Sequence, residues 1–292
     1  MDKRRVQKSM YELIHQTCTV LPQDITLALE NALTQENNGS IAHETLGIIM
    51  QSTSLSCDKR LPVCQDTGSL LAIIEGRPDK SVILIAEAII KATRTLTKEG
   101  TLRQNCVDPL SEKNTLDNTG VYVPQIHFEP SDGPTRIGIM LKGGGSENMS
   151  TQFSLPLQRI QAQRDMEGVR RCLLDCVFQA QGKGCAPGIL GVCIGGDRAS
   201  GYLIAKKQLF RKLQDINPSS VLASLEQTIL QEANTLGIGP MGLGGNTTLL
   251  GVKIGAAGRH PASYFVTVSY SCWATRRFMV ELTRQGDILE WM

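Results

Sequence analysis

Apolar positions recur at helical spacing through the first part of the chain. "QDITLALENALTQE" repeats every three to four residues until "NNG" stops it. Ser40 is placed to cap a following helix, "IAHETLGIIMQS". About the first 60 residues therefore read as helical. Pro62 closes this stretch, and "SLLAIIEG" predicts a first, buried strand. Asp79 or Ser81 can start a long helix, "VILIAEAIIKATRTLTKEG", ended by Gly100.

Residues 101 to 120 are polar and turn-rich, and a loop this long in a compact domain tends to be functional. "VYVPQIHFE" and "TRIGIMLK", joined by "PSDGP", predict an antiparallel hairpin. A helix is predicted over 156–181, a strand in "GILGVCIGG", and helices in "RASGYLIAKKQLFRKL" and "SSVLASLEQTILQEANTL". Strands "TLLGVKIG" and "SYFVTVSYS" follow, and "WATRRFMVELTRQG" reads as a short last helix with Arg276 and Arg277 on a solvated face. The expected fold class is α+β: mixed helices with an antiparallel sheet and hairpins, a helix-rich N-terminus, and one domain over residues 1–292.

Charge narrows the partners. Thirty basic and 28 acidic side chains leave a formal charge of +2, and aromatic content is 4%, so neither nucleic acid nor an anionic membrane is expected as a partner. "SVILIAEAII" is broken by Glu87 and too short to span a bilayer, and the N-terminus lacks the form of a secretory signal, which makes a cytoplasmic location the expectation.

Nine cysteines, an odd count, argue against a disulfide framework, and no C-x-x-C pair occurs. Cys172 and Cys176, four apart on a helix, and Cys193, inside a strand, read as packing residues. Cys64, Cys185 and Cys272 differ: each stands at the end of an element, with glycine, proline or polar residues near it. Position leaves two readings open, scattered core thiols or three ligands of one metal centre. Three thiolates without a fourth would suit an iron–sulfur cluster with one iron open. "LKGGGSENM" offers backbone N–H groups that could face an anion or simply a tight connection capped by Ser146, and "GIGPMGLGGNTT" contains no dinucleotide or Walker pattern. His260 sits in a loop beside Arg259, and Thr67 reads as a turn-capping residue.

Five stretches in order, "CQDTG", "KGGGSENMS", "GCAPGILGVCIGG", "GIGPMGLGG" and "RHPAS…VSYSCWATRR", resemble the motifs of class I (iron–sulfur) fumarases and L-tartrate dehydratases, specifically the alpha subunit or N-terminal domain. The resemblance covers residues from about 60 to 280. It implies a [4Fe–4S] cluster on Cys64, Cys185 and Cys272. It further implies that Asp66 and His260 form an acid pair for the departing hydroxyl, and that Gln65 and Arg103 contact substrate. The reaction implied is reversible hydration of fumarate to malate, a step of the tricarboxylic acid cycle, or dehydration of L-tartrate or a related 2-hydroxy dicarboxylate. A scaffold that binds a cluster without catalysis is disfavoured, because the polar residues accompany the three thiols.

In that family the base, a threonine, and further cationic groups lie on a C-terminal domain, so the resemblance implies a separate beta subunit and alpha–beta pairs that associate through the alpha subunit. Three departures stand out. "CAP" replaces "CPP", "GVCIGG" introduces Cys193, and Asn246 stands where a lysine is usual. The first two imply packing changes. The third removes a charge beside the glycine loop.

Overall fold

The computed structural model describes residues 1–292. Secondary structure follows local chemistry at most element ends. Asp2 caps α1 (Lys3–Thr19) by accepting from the N–H groups of Arg4 and Arg5, each at 3.0 Å. Ser40 caps α3 (Ile41–Lys59) through the N–H of His43 at 3.1 Å, and Asp79 caps α4 (Lys80–Lys98) through that of Ser81 at 2.7 Å. Such caps satisfy N–H groups that the helix itself leaves without a partner.

The chain divides into two units. The first comprises residues 1–22, 52–144 and 274–292. Its sheet has the order β2-β1-β3-β8-β9, with β1 at Ser69–Gly76, β2 at Gln125–Pro130, β3 at Arg136–Lys142, β8 at Arg276–Leu282 and β9 at Ile288–Trp291. Its core joins Leu70, Ala72 and Ile74 of β1, Ile137 and Ile139 of β3, and Val280 and Leu282 of β8 to Val6, Met10 and Leu13 of α1 and Ile85 and Ile89 of α4. Alternate strand residues meet the helices, as the two-residue period requires.

The second unit comprises residues 23–51 and 145–273. Its sheet has the order β4-β7-β5-β6, with β4 at Thr151–Ser154, β5 at Gly188–Gly195, β6 at Leu249–Ala257 and β7 at Phe265–Ser271. Helices α2 (Gln23–Gln35), α6 (Met166–Ala180), α7 (Arg198–Gln208) and α8 (Ser220–Asn234) belong to it, with the short α5 (Gly144–Asn148) at its boundary. Cys172 and Cys176 of α6 and Val192 of β5 are part of its apolar core.

The α+β class holds, but both sheets are mixed rather than antiparallel. β2 runs parallel to β1, and β6 parallel to β5. The predicted hairpin of β2 and β3 does not form: both strands pair with β1, which lies between them. β1 thus separates the two strands, and the 131–135 turn straddles its end, with the Ser131 N–H bonded to the Gly76 carbonyl at 2.7 Å. The last predicted helix is instead β8. "RRFMVEL" carries a two-residue period, with Val280 and Leu282 on the core face, and this overrides its helical propensity. The helix expected from 156 begins only at Met166, capped by Asp165, after β4 and a single 3-10 turn. No helix is long and apolar enough to cross a membrane.

Candidate active site

In the first unit, the segment between α3 and β1 carries Cys64, Gln65, Asp66 and Thr67. The Val63 N–H is bonded to the Cys18 carbonyl of α1 at 3.0 Å, which fixes where Cys64 starts. Asp66 is held at both oxygens: Oδ1 accepts from the Gly68 N–H at 2.9 Å and Oδ2 from the Gly144 N–H at 2.7 Å. Gly68 has a φ of +79°, and a Cβ there would lie 2.7 Å from the backbone carbon of Lys142, so only glycine permits this approach to β3. The triple-glycine stretch, a candidate anion cradle in the sequence, thus gives its Gly144 N–H to the protein's own Asp66.

Thr67 is fully buried and is not a turn cap. Its hydroxyl accepts from the Arg103 N–H at 3.0 Å and from the Asn105 amide at 3.2 Å. Asn118, in the same polar loop as Arg103, completes the clamp. Its amide donates to the Arg103 carbonyl at 2.6 Å and to Thr97 at 3.0 Å, and its oxygen accepts from the Asn105 N–H at 2.7 Å. The backbone of Arg103 is therefore held on both sides while its side chain is exposed. Gln65 and Asp66, which precede Thr67 in the chain, are exposed, and Cys64 is half-buried. Arg276 and Arg277, expected on a solvated helix, are buried in β8 instead, and Arg276 donates to the Asp66 carbonyl at 2.9 Å.

In the second unit, Cys185 and Cys272 are brought together by the backbone. The Trp273 N–H donates to the Cys185 carbonyl at 3.2 Å. Cys185 follows a 3-10 turn and adopts a left-handed φ of 53°. The turn packs on the ring of Tyr270, two residues before Cys272. A Cβ at Gly184 would lie 2.4 Å from that ring, and one at Gly188 2.3 Å from its hydroxyl. Burial, and then the three thiols of Cys272, Cys176 and Cys185, push the Tyr270 hydroxyl far up, so it stays neutral.

His260 lies exposed on the loop between β6 and β7. Arg259 braces that loop by donating to the carbonyls of His260, Pro261 and Ser263, and it stacks over Tyr264 at 4.6 Å. The His260 Nδ1 accepts the Ala262 N–H at 3.1 Å, which leaves the ring proton on Nε2. The glycine loop at 237–247 is closed by Glu36. This buried carboxylate accepts from the N–H groups of Asn246 and Thr247 at 2.9 Å each, so a protein side chain occupies the place an anion would take there. Asn246 adds a bond to the Gln35 carbonyl at 2.9 Å.

The nine thiols divide by environment, and no disulfide forms. Burial pushes Cys172 up to about 12 and Cys18 and Cys193 up to about 11, so these remain protonated packing groups. Cys64, Cys185 and Cys272 are half-buried, as is Cys106, and the first three sit at rigidly held loop ends. Within either unit no three His, Cys, Asp or Glu side chains converge as a ready-made metal site. Cys185 and Cys272 lie together in the second unit, and Cys64 lies in the first. Half-buried thiols are soft donors, which fit iron–sulfur chemistry and not a hard cation.

Comparison with known proteins agrees in family. The model of the fumarate hydratase (Fumerase) family matches residues 7–281. A protein of Geobacillus stearothermophilus named as a class I fumarate hydratase is 44% identical over 99% of this chain, which spans 57% of that relative's length. A protein of Methanocaldococcus jannaschii named as an L(+)-tartrate dehydratase alpha subunit is 35% identical, over 94% of this chain and 96% of its own. The L(+)-tartrate dehydratase alpha subunit of Escherichia coli K12 is 30% identical over 89% of this chain and 84% of its own.

Proposed function

Because the chain belongs to the fumarate hydratase (Fumerase) family, we propose that it is the alpha subunit of an iron–sulfur hydro-lyase that interconverts fumarate and malate. The observation that carries this reading is the fixed Cys64–Thr67 loop: a carboxylate held by two N–H groups, two residues from a half-buried thiol, with Arg103 locked to the same loop through Thr67.

Cys64, Cys185 and Cys272 would hold a [4Fe–4S] cluster. Such a cluster, with one iron free of cysteine, supplies a Lewis acid that polarises the substrate's hydroxyl. The other roles fall to side chains. Hydroxide leaves poorly, so it must depart as water, and this needs a proton at the departing oxygen. Asp66 is the group held ready for that exchange, and His260 presents Nε2–H as a donor. Arg103 meets a substrate carboxylate and opposes the negative charge that builds when the neighbouring C–H proton is removed. Gln65 adds an amide contact.

The base is assigned to a beta subunit, which two relatives named as alpha subunits support. L-tartrate is the second reading, favoured by those same relatives, which this chain matches over most of their length. Anaerobic purification with a candidate beta subunit, followed by assays with malate and L-tartrate, tests both. A brown, oxygen-sensitive complex that dehydrates malate is expected. Turnover of neither acid by an iron-loaded complex would refute the reading.

A further inference from the structure

Arg276 opens β8 and shares its face with Phe278, Val280 and Leu282, the face turned into the apolar core of the first unit. Its side chain is 1% exposed, among the largest fully buried in the molecule. Guanidinium is never neutral in a protein and carries five N–H donors. One of them, on Nη2, reaches the Asp66 carbonyl at 2.9 Å. Nε and Nη1 are enclosed without a partner, and no carboxylate lies within ion-pairing distance.

Other buried charges are met. Glu226 accepts from Arg211, Asn217 and the Ile254 N–H, and Lys253 is bonded to Asp215. An unpaired buried cation is among the most costly things a core can hold. It persists where something else requires the charge. Cys18, the thiol that feels Arg276, cannot balance it, since burial keeps that thiol protonated.

We infer that Arg276 is a positioning residue: it fixes the Cys64–Asp66 loop through the Asp66 carbonyl, and its charge offsets the negative charge of the thiolate-bound cluster that this loop helps to hold. The inference rests on the cluster reading. Three thiolates outweigh the charge of the iron–sulfide core, so the ligated cluster is anionic. Charge and hydrogen bonds around such a cluster set its potential and its hold on iron.

The test uses the full chain with Arg276→Met and Arg276→Lys. In the metal-free form, Arg276→Met should melt at the same temperature as the parent chain or higher, because an unpaired buried charge is replaced by an apolar side chain of similar length. After anaerobic reconstitution, the same variant should lose iron to a chelator at least about tenfold faster, as loss of one charged contact implies. Its cluster should also be harder to reduce, with a lower potential. Arg276→Lys should recover most of the potential and part of the iron retention.

A large drop in the metal-free melting temperature for both variants would mark Arg276 as merely structural and overturn the inference. Unchanged iron loss and potential in Arg276→Met would overturn it too, with the cluster reading intact. A parent chain that takes up no iron would refute the cluster reading itself, and this inference with it.

Discussion

The two units hold their half-buried cysteines by different means. In the first, the Cys64 loop is tied by polar bonds from side chain to backbone: Asp66 to Gly68 and Gly144, Thr67 to Arg103, Asn118 to Arg103 and Asn105, Arg276 to Asp66. In the second, Cys185 and Cys272 are set by steric fit, glycines closing on the Tyr270 ring and one backbone bond from Trp273. The polar scaffold leaves the side chains of Gln65, Asp66 and Arg103 exposed. The packed one leaves little but the thiols. The contrast is between a first unit that presents polar side chains around its thiol and a second unit that closes around its own pair.

The largest effect expected is at the thiols themselves. Cys64→Ser should abolish cluster binding and lower turnover by about a thousandfold or more, whereas Cys176→Ser, in the core of the second unit, should leave iron content unchanged. Iron and sulfide analysis of both variants checks this.

Next comes the steric side. Gly188→Ala should destabilise the chain by about 1–3 kcal/mol or more, since its Cβ would lie 2.3 Å from the Tyr270 hydroxyl and 2.4 Å from the ring carbon Cζ, and Tyr270→Leu, which removes both atoms, should rescue part of that loss. Denaturant melts of the single and double variants give the coupling. No rescue would mean that the fit to Tyr270 does not matter.

On the polar side, Thr67→Val keeps the shape but leaves the Arg103 N–H unmet, at a cost of about 1–3 kcal/mol. Its kcat/KM should fall further than its stability loss accounts for. Arg103→Met should instead leave stability unchanged, since its side chain is exposed, and raise KM about tenfold to a hundredfold through the lost carboxylate contact.

The smallest effect is titration of the packing thiols. Cys172 ionises near 9.0 in the unfolded chain and only near about 12 when buried, so the folded state holds its proton more tightly. Its contribution is complete below pH 9 and is lost as pH rises toward 12. Cys172→Val should flatten that alkaline decline in urea-melt midpoints.

Much of this is legible in the residues. Helical periodicity locates α2, α3 and α4, and the glycine and proline beside Cys64 and Cys185 mark them as loop thiols. Where local pattern misleads, the deciding contacts are distant in the chain. Asn118 serves Arg103, Glu36 closes a loop 210 residues away, and nothing local announces either. A double arginine suggests solvent, and only the pairing of Arg276 with Leu141 of β3 shows the period that buries it. Thr67 resembles a turn residue because its partner, Arg103, lies beyond a strand and a helix, β1 and α4.

Three cysteines out of nine, Cys64, Cys185 and Cys272, are the ligands proposed for the cluster. Iron and sulfide stoichiometry after anaerobic reconstitution, compared among the parent chain and the Cys64→Ser, Cys185→Ser and Cys272→Ser variants, tests that assignment most directly. One [4Fe–4S] cluster per parent chain and none in each variant is expected. A parent chain that stays colourless, or any of the three variants retaining the full complement, would contradict it.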